Sequence, residues 1–232
     1  MNLLAFDTST DTLSIAVQRG DTVWEHSGPG GAQASSTLIA ALYGLLEQAA
    51  LNLAQLDALV FARGPGSFTG LRTACAVAQG LAFGANAGRG IPVLPIDTLA
   101  AVAEQARHQY GCTDVVAVLD ARMDEVYVAR YQWQADTWHS TGALGLSAPQ
   151  DVQVSPGWTV AGNAQAAYGE RLACGALHVH ALPTAAALLR LAPHLLATGH
   201  AVTAAQALPL YIRDKVAQTT AERAAAHAGT GR

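Results

Sequence analysis

Charge is scarce in this sequence. Asp, Glu, Lys and Arg make up 13% of its 232 residues, the formal net charge is −4, and Lys215 is the sole lysine. An autonomous nucleic-acid binder needs a basic footprint, because phosphate neutralisation supplies most non-specific affinity. That class is excluded. Arg213, Lys215, Arg223 and Arg232 make the end of the chain mildly basic, which reads as solvated surface. Cysteine is also scarce. Cys75, Cys112 and Cys174 form an odd, scattered set with no metal-like spacing, so neither a disulfide framework nor a zinc site is expected. A reducing, cytoplasmic location fits that usage. His178 and His180 would share a strand face but lack a third ligand. No CxxC, HExxH or Ser/His/Asp set stands out. No apolar run reaches the roughly 18 residues of a membrane span. Asp7, early and without a basic flank, argues against a signal peptide.

What the chain has instead is apolar content, 51% of its residues. That is too much for a disordered protein. With so little charge to cover it, part of the surplus is expected to be buried against a partner.

Periodicity organises the chain into two halves. Residues 2–6, ending at Asp7, then 13–17 and 22–24 read as three antiparallel strands joined by tight turns. After the Gly28-Pro29-Gly30-Gly31 break, Ser35 or Ser36 is expected to cap a helix to about Ala50, with Leu38, Leu42, Leu45, Leu46 and Ala49 as its core stripe. Ile39, Ala40, Ala41 and Tyr43 make the opposite side apolar too, the pattern of a deeply buried or partner-covered helix. Residues 57–62 read as a buried strand and about 70–85 as a helix whose one charge is Arg72. Residues 91–96 read as an edge strand, and about 98–110 as a helix. The second half restarts the pattern: strands at 115–120 and 126–131, then a segment around Trp138. Asp7 and Asp11 align with Asp120 and Asp124, and Trp24 with Trp138. The spacing suggests a duplicated lobe, against the alternative of two hairpins alike by chance. Residues 160–163 read as a strand entering a turn, 183–198 as a helix, and 211–213 as a last strand. The lobes are expected at 1–110 and 111–216, with a frayed tail at 217–232.

The run Arg63-Gly64-Pro65-Gly66-Ser67-Phe68-Thr69-Gly70-Leu71-Arg72 joins a strand to a helix. Its glycines permit unusual backbone, and Ser67 or Thr69 can cap the helix. No lysine follows, so it is not a phosphate loop. Serine is not central, so it is not a nucleophile elbow. A tight turn for close helix packing is preferred over anion binding. Asp7, Thr8 and Asp120 sit where paired hairpin aspartates would hold a nucleotide-bound metal. The hairpin turns Thr8-Ser9-Thr10 and Ala121-Arg122-Met123 lack the glycines that let backbone approach phosphate.

Five stretches now converge on one resemblance: the opening 4–10, the run 63–72, Ala78-Gln79-Gly80-Leu81-Ala82, Asp120 to Tyr127, and Tyr211-Ile212-Arg213. Together they resemble the TsaB (YeaZ) family. The resemblance implies an α/β fold of two actin-like lobes of the acetate kinase–hsp70–actin class, with ribonuclease-H-like mixed sheets flanked by helices and a reduced second lobe. It implies a scaffold without catalysis of its own, assembled with the paralogue TsaD and the ATPase TsaE for threonylcarbamoyl transfer to the adenosine beside the tRNA anticodon. No cofactor is expected on this chain alone; ATP and a metal belong to the partner subunits, and tRNA is met through the complex only. Where the catalytic paralogue carries a metal-binding histidine pair, this chain has Thr98 and Val102. The partner surface is expected on the helices at about 35–50 and 69–85, through Ile39, Tyr43, Gly70, Leu71, Ala74, Cys75 and Ala78. Small residues there let a partner helix approach, and the same surface would serve a homodimer when the partner is absent. Ala78→Arg is expected to abolish association without unfolding the chain. The alternatives are an ATP-binding kinase-like enzyme using Asp7 and Asp120, or a peptidase acting on its partner.

Overall fold

A computed structural model describes residues 1–213. The tail at 217–232 and the basic residues Lys215, Arg223 and Arg232 lie outside the described residues.

The opening apolar runs pair as an antiparallel meander: β1 (Asn2–Asp7), β2 (Thr12–Arg19) and β3 (Thr22–Pro29). Helix α1 (Ala34–Gln48) follows. It buries Leu38, Leu42, Leu45 and Leu46, as its 3.6-residue spacing requires. The serines do not cap it. A 3-10 turn, Gly31–Gln33, runs straight into the helix and makes Gln33 the N-cap. Both serines then fall inside the first turn, where the Ser36 hydroxyl donates to the Gln33 carbonyl at 2.8 Å.

Strand β4 (Ala58–Gly64) lies parallel to β1. Helix α2 (Phe68–Gly84) leaves it through the glycine run, and β5 (Val93–Asp97) adds parallel to β4 at the sheet edge, where its proline is tolerated. Helix α3 (Thr98–Tyr110) ends the first half, with Gly111 in the left-handed conformation at its C-terminus.

The second half repeats the design. β6 (Asp114–Arg122), β7 (Glu125–Gln134) and β8 (Thr137–Ser140) are antiparallel, and the short β9 (Gly145–Ser147) pairs with β7. β10 (Thr159–Gly162) lies parallel to β6, and β11 (Leu177–His180) parallel to β10. The first sheet runs β3-β2-β1-β4-β5 and the second, read from its other edge, β8-β7-β6-β10-β11. The order is the same, so the two sheets carry the expected duplication. Trp24 and Trp138 both lie on the third strand of their sheets. The second lobe is reduced: its later strands are four residues long and helix α4 (Ala164–Tyr168) is barely more than a turn.

The core is layered. Helices α1 and α2 cover one face of the first sheet, around Phe6, Ile15, Leu59 and Phe61. The other face is covered by α3 and by α5 (Ala185–Ala197), through Leu188, Leu189 and Ala192. The far side of α3 packs on the second sheet through Leu99, Val102 and Ala106. One helix thus serves both lobes. A boundary at 111 therefore divides the sheets but not the packing. The chain crosses back at α5, and Val202 pairs with Val93 beside the first sheet. Tyr211-Ile212-Arg213 is not a strand but an irregular segment lining the cleft between the lobes. Among the described residues, no helix is long and apolar enough to cross a membrane.

Candidate functional site

Two features compete for function: the cleft between the lobes, which the glycine run helps to line, and the outer face of α1 and α2.

The run packs onto the turn of the first hairpin. A Cβ on Gly66 would overlap the Ser9 carbonyl, and one on Gly70 the Thr8 carbonyl. Gly64 has φ +126°, and a Cβ there would strike the carbonyl of Leu210. Ser67 N–H donates to the Ser9 carbonyl at 2.7 Å, and Thr8 Oγ1 donates to the Gly70 carbonyl at 2.7 Å. Ser67 caps α2, its hydroxyl accepting from Gly70 N–H at 3.4 Å. Pro65 is buried, and Phe68 and Thr69 are exposed in the first turn. The glycines are used for close approach within the chain, so the preferred tight-turn reading describes what the run does.

The hairpin aspartates do not form a matched pair. Asp7 and Thr8 are fully buried beneath the run and do not line the cleft. The expectation that Asp7 faces a nucleotide is corrected. Its carboxylate is held by Ser9, through Ser9 N–H at 3.1 Å and the hydroxyl at 2.8 Å. Burial pushes Asp7 up to about 7, against those Ser9 bonds, which favour the charged form. Asp120 does line the cleft, but its partners are internal. Tyr168 Oη donates to it at 2.8 Å, Arg122 N–H at 2.8 Å, and the Arg122 guanidinium pairs with it at 3.1 Å. Burial, then the bond to Asp120, pushes Tyr168 up to about 12. Arg122 also reaches Asp11 across the cleft at 3.2 Å, while Asp124 is taken by Arg171 at 2.7 Å and held below its usual range by that bond.

The cleft encloses about 680 Å³. Its walls include Ser9, Gly66, Phe68, Arg72, Asn163 and Tyr211. Sequence reasoning missed Asn163, whose side-chain oxygen accepts from Asp120 N–H at 2.9 Å, and Tyr168 and Arg122 as partners of Asp120. A strand end followed by Gly162-Asn163 was the available signal for the first.

The expected partner residues divide by burial. Ile39 and Tyr43 are each 48% exposed on α1. Gly70, Leu71, Ala74, Cys75 and Ala78 are buried within the chain. This corrects their assignment to the contact surface. Ala74, Cys75 and Ala78 belong to the core against the first sheet, so their small size brings α2 close to that sheet rather than to a partner. Ala78→Arg would force a charge into this core. The face α2 turns outward carries Arg72, Ala76, Gly80 and Phe83, the last 74% exposed. Phe83 was missed because the stripe was drawn through the small residues.

Thr98 and Val102 are fully buried on α3. Among the described residues, no group of three His, Cys, Asp or Glu side chains is placed to hold a metal.

Comparison with known proteins places this geometry. Residues 30–221 match the family model described as TsaD, tRNA N6-adenosine threonylcarbamoyltransferase. The tRNA threonylcarbamoyladenosine biosynthesis protein TsaB of Escherichia coli is 33% identical over 94% of this chain and 96% of its own. That of Haemophilus influenzae is 34% identical over 93% and 95%. The solved structure of YeaZ from Pseudomonas aeruginosa superposes with a TM-score of 0.83 at 38% identity, over 90% of this chain and 99% of that one. A second P. aeruginosa structure, described as similar to the peptidase YEAZ, gives the same score and identity. The shared sheet order, the packed glycine run and these likenesses lead to one conclusion: the chain belongs to the TsaB (YeaZ) family, with an actin-like, ribonuclease-H-like α/β fold.

Proposed function

We propose that this chain is a non-catalytic subunit in tRNA threonylcarbamoyladenosine biosynthesis, and that it docks a TsaD-type paralogue on the outer face of α1 and α2. A TsaE-type ATPase joins the assembly, which brings the ATP, the metal and the tRNA. Alone, the chain pairs with a second copy through the same face. The observation that carries this reading is the exposure of Phe83, Ile39 and Tyr43 on two adjacent helices with Ala40, Ala76 and Gly80 among them. Exposed apolar side chains on one face are what a partner covers. The cleft supports the same reading from the other side, because Asp7 is buried on Ser9 and Asp120 is engaged by Tyr168 and Arg122.

The test uses Phe83→Asp and Gly80→Arg, both on the outward face, with the catalytic paralogue as bait. Co-purification is expected to fall at least tenfold, with far-ultraviolet circular dichroism unchanged. Recovery at wild-type level in both variants would sink the docking reading. The alternatives are tested in parallel. Turnover of ATP by the isolated chain, lost in Asp120→Ala, would favour a kinase-like enzyme. Cleavage of the paralogue on incubation would favour the peptidase suggested by the description of one structural relative.

A further inference from the structure

The segment that follows α5 runs along α2 and then crosses the cleft, and its two ends are held very differently. At its start Ala207 is fully buried, and its carbonyl accepts from Cys75 Sγ at 3.0 Å and Gln79 Nε2 at 2.9 Å. Leu210 N–H donates to the Arg63 carbonyl at 2.7 Å, and Gly64 leaves the space in which Leu210 passes. Beyond Leu210 the contacts change character. Tyr211 is 43% exposed; its ring leans on Phe68 with centroids 5.4 Å apart, and its hydroxyl accepts from Arg72 Nε at 3.2 Å. Those partners belong to the first lobe. Two residues later Arg213 reaches the second lobe, pairing with Glu125 and donating to the Arg122 carbonyl at 3.4 Å.

We propose that residues 207–213 are a hinged latch: Ala207 and Leu210 anchor it to the first lobe, and Tyr211 and Arg213 form a releasable clasp that sets the opening of the inter-lobe cleft. The anchored half rests on two side-chain bonds to the carbonyl of fully buried Ala207 and on the Leu210–Arg63 backbone bond, and bonds to a buried carbonyl are costly to break without water. The clasp rests on the Arg213–Glu125 ion pair, whose glutamate is 42% exposed, a long bond to the Arg122 carbonyl, and the ring contact and hydrogen bond of a half-exposed tyrosine, all of which solvent reaches from the cleft. The second polar crossing of the cleft, Arg122 to Asp11, is between side chains 73% and 87% exposed and is equally weak. Helix α3, packed on both sheets, supplies the fixed side of the opening. The arrangement lets the cleft open from its mouth while the lobes stay joined. The latch stands whether or not the outer face of α1 and α2 docks a partner.

Hydrogen exchange and thiol labelling on the full chain test this. In the double variant Tyr211→Ala, Arg213→Ala, exchange at residues 8–12 and 121–125 is expected to rise about tenfold. Exchange in α1 should stay unchanged, and Cys75, under the anchored half, should stay protected from alkylation. The conservative variant Arg213→Lys, which keeps a cation opposite Glu125, should lie near wild type. In the wild-type chain, salt near 1 M is expected to speed exchange at the same two turns, because it screens the exposed pairs. That arm requires no variant to fold. Unchanged exchange at both turns would overturn the latch. So would an equal rise in α1 together with alkylation of Cys75, because that pattern is general loss of stability.

Discussion

Thr8 and Gly70 meet across 62 residues of sequence: the Thr8 hydroxyl donates to the Gly70 carbonyl, and the Thr8 carbonyl occupies the place of a Cβ on Gly70. This contact locks the start of α2 onto the turn of the first hairpin. It explains why the glycine run ends in glycine, since any side chain would push helix and hairpin apart.

Gly70→Ala should therefore destabilise the chain by about 3 kcal/mol, the scale of overpacking against backbone that cannot give way. Gly80→Ala, in open space on the same helix, should stabilise by up to about 1 kcal/mol through helix propensity. Urea unfolding of both variants checks the contrast. Equal midpoints would contradict it.

Asp7 gives stability a definite pH dependence. Its folded value, about 7, lies above that of an unfolded carboxyl, so folding favours the protonated form. The contribution is complete below about pH 4 and is lost as pH rises through 7. A tenfold difference in acidity between the folded and unfolded chain is worth about 1.4 kcal/mol. Asp7→Asn, neutral at every pH, should flatten this slope and be more stable than wild type at pH 8. Thermal midpoints of both chains from pH 5 to pH 8 decide it; parallel curves would refute the assignment.

Ala78→Arg and Gly80→Arg separate core from surface on one helix. Ala78 is fully buried, so arginine there should leave the chain unfolded or lower its stability by more than about 4 kcal/mol. Gly80→Arg should fold normally. Near-identical melting temperatures for the two would show that the helix face is misassigned.

Glu104 holds the two lobes and α5 together. Its buried carboxylate accepts from Arg107 at 3.0 Å, Arg190 at 2.8 Å and Trp138 Nε1 at 2.9 Å. Burial alone would raise its pKa, but these bonds and the Arg107 charge outweigh it and hold the carboxyl below its usual range. Its contribution is present above the unfolded carboxyl value and is lost as pH falls through the lower folded one. Glu104→Gln should cost about 3 kcal/mol, because two guanidinium groups lose their charged partner. Denaturation at pH 7 measures it, and a loss under about 0.5 kcal/mol would count against the role.

The elements were legible because each carries its own local signal. The leucine stripe of α1, the antiparallel runs of both hairpins and the Ser67 cap follow from periodicity and turn chemistry, which depend on near neighbours. The duplication was legible too, because a repeated lobe repeats its strand, aspartate and tryptophan spacing. The direction of α2 was not. Ala, Gly and Cys at 74, 75, 78 and 80 are compatible with either face inward, since small residues give no hydrophobic contrast around the helix. The fate of Asp7 was equally hidden: an aspartate at a strand end reads the same whether it opens onto a cleft or lies beneath a loop arriving about 60 residues later.

The sequence by itself determined most of the strands and helices, the duplicated hairpins and the family, because those rest on patterns within a few residues and on shared motifs; it missed β9 and α4 and misread 211–213. Tertiary structure alone decided which side of α2 is buried, that Asp7 is sealed under the glycine run, and that residues 207–213 return to tie the lobes. Each of these depends on backbone segments meeting across long separations, where steric fit and burial act and local propensity carries no information.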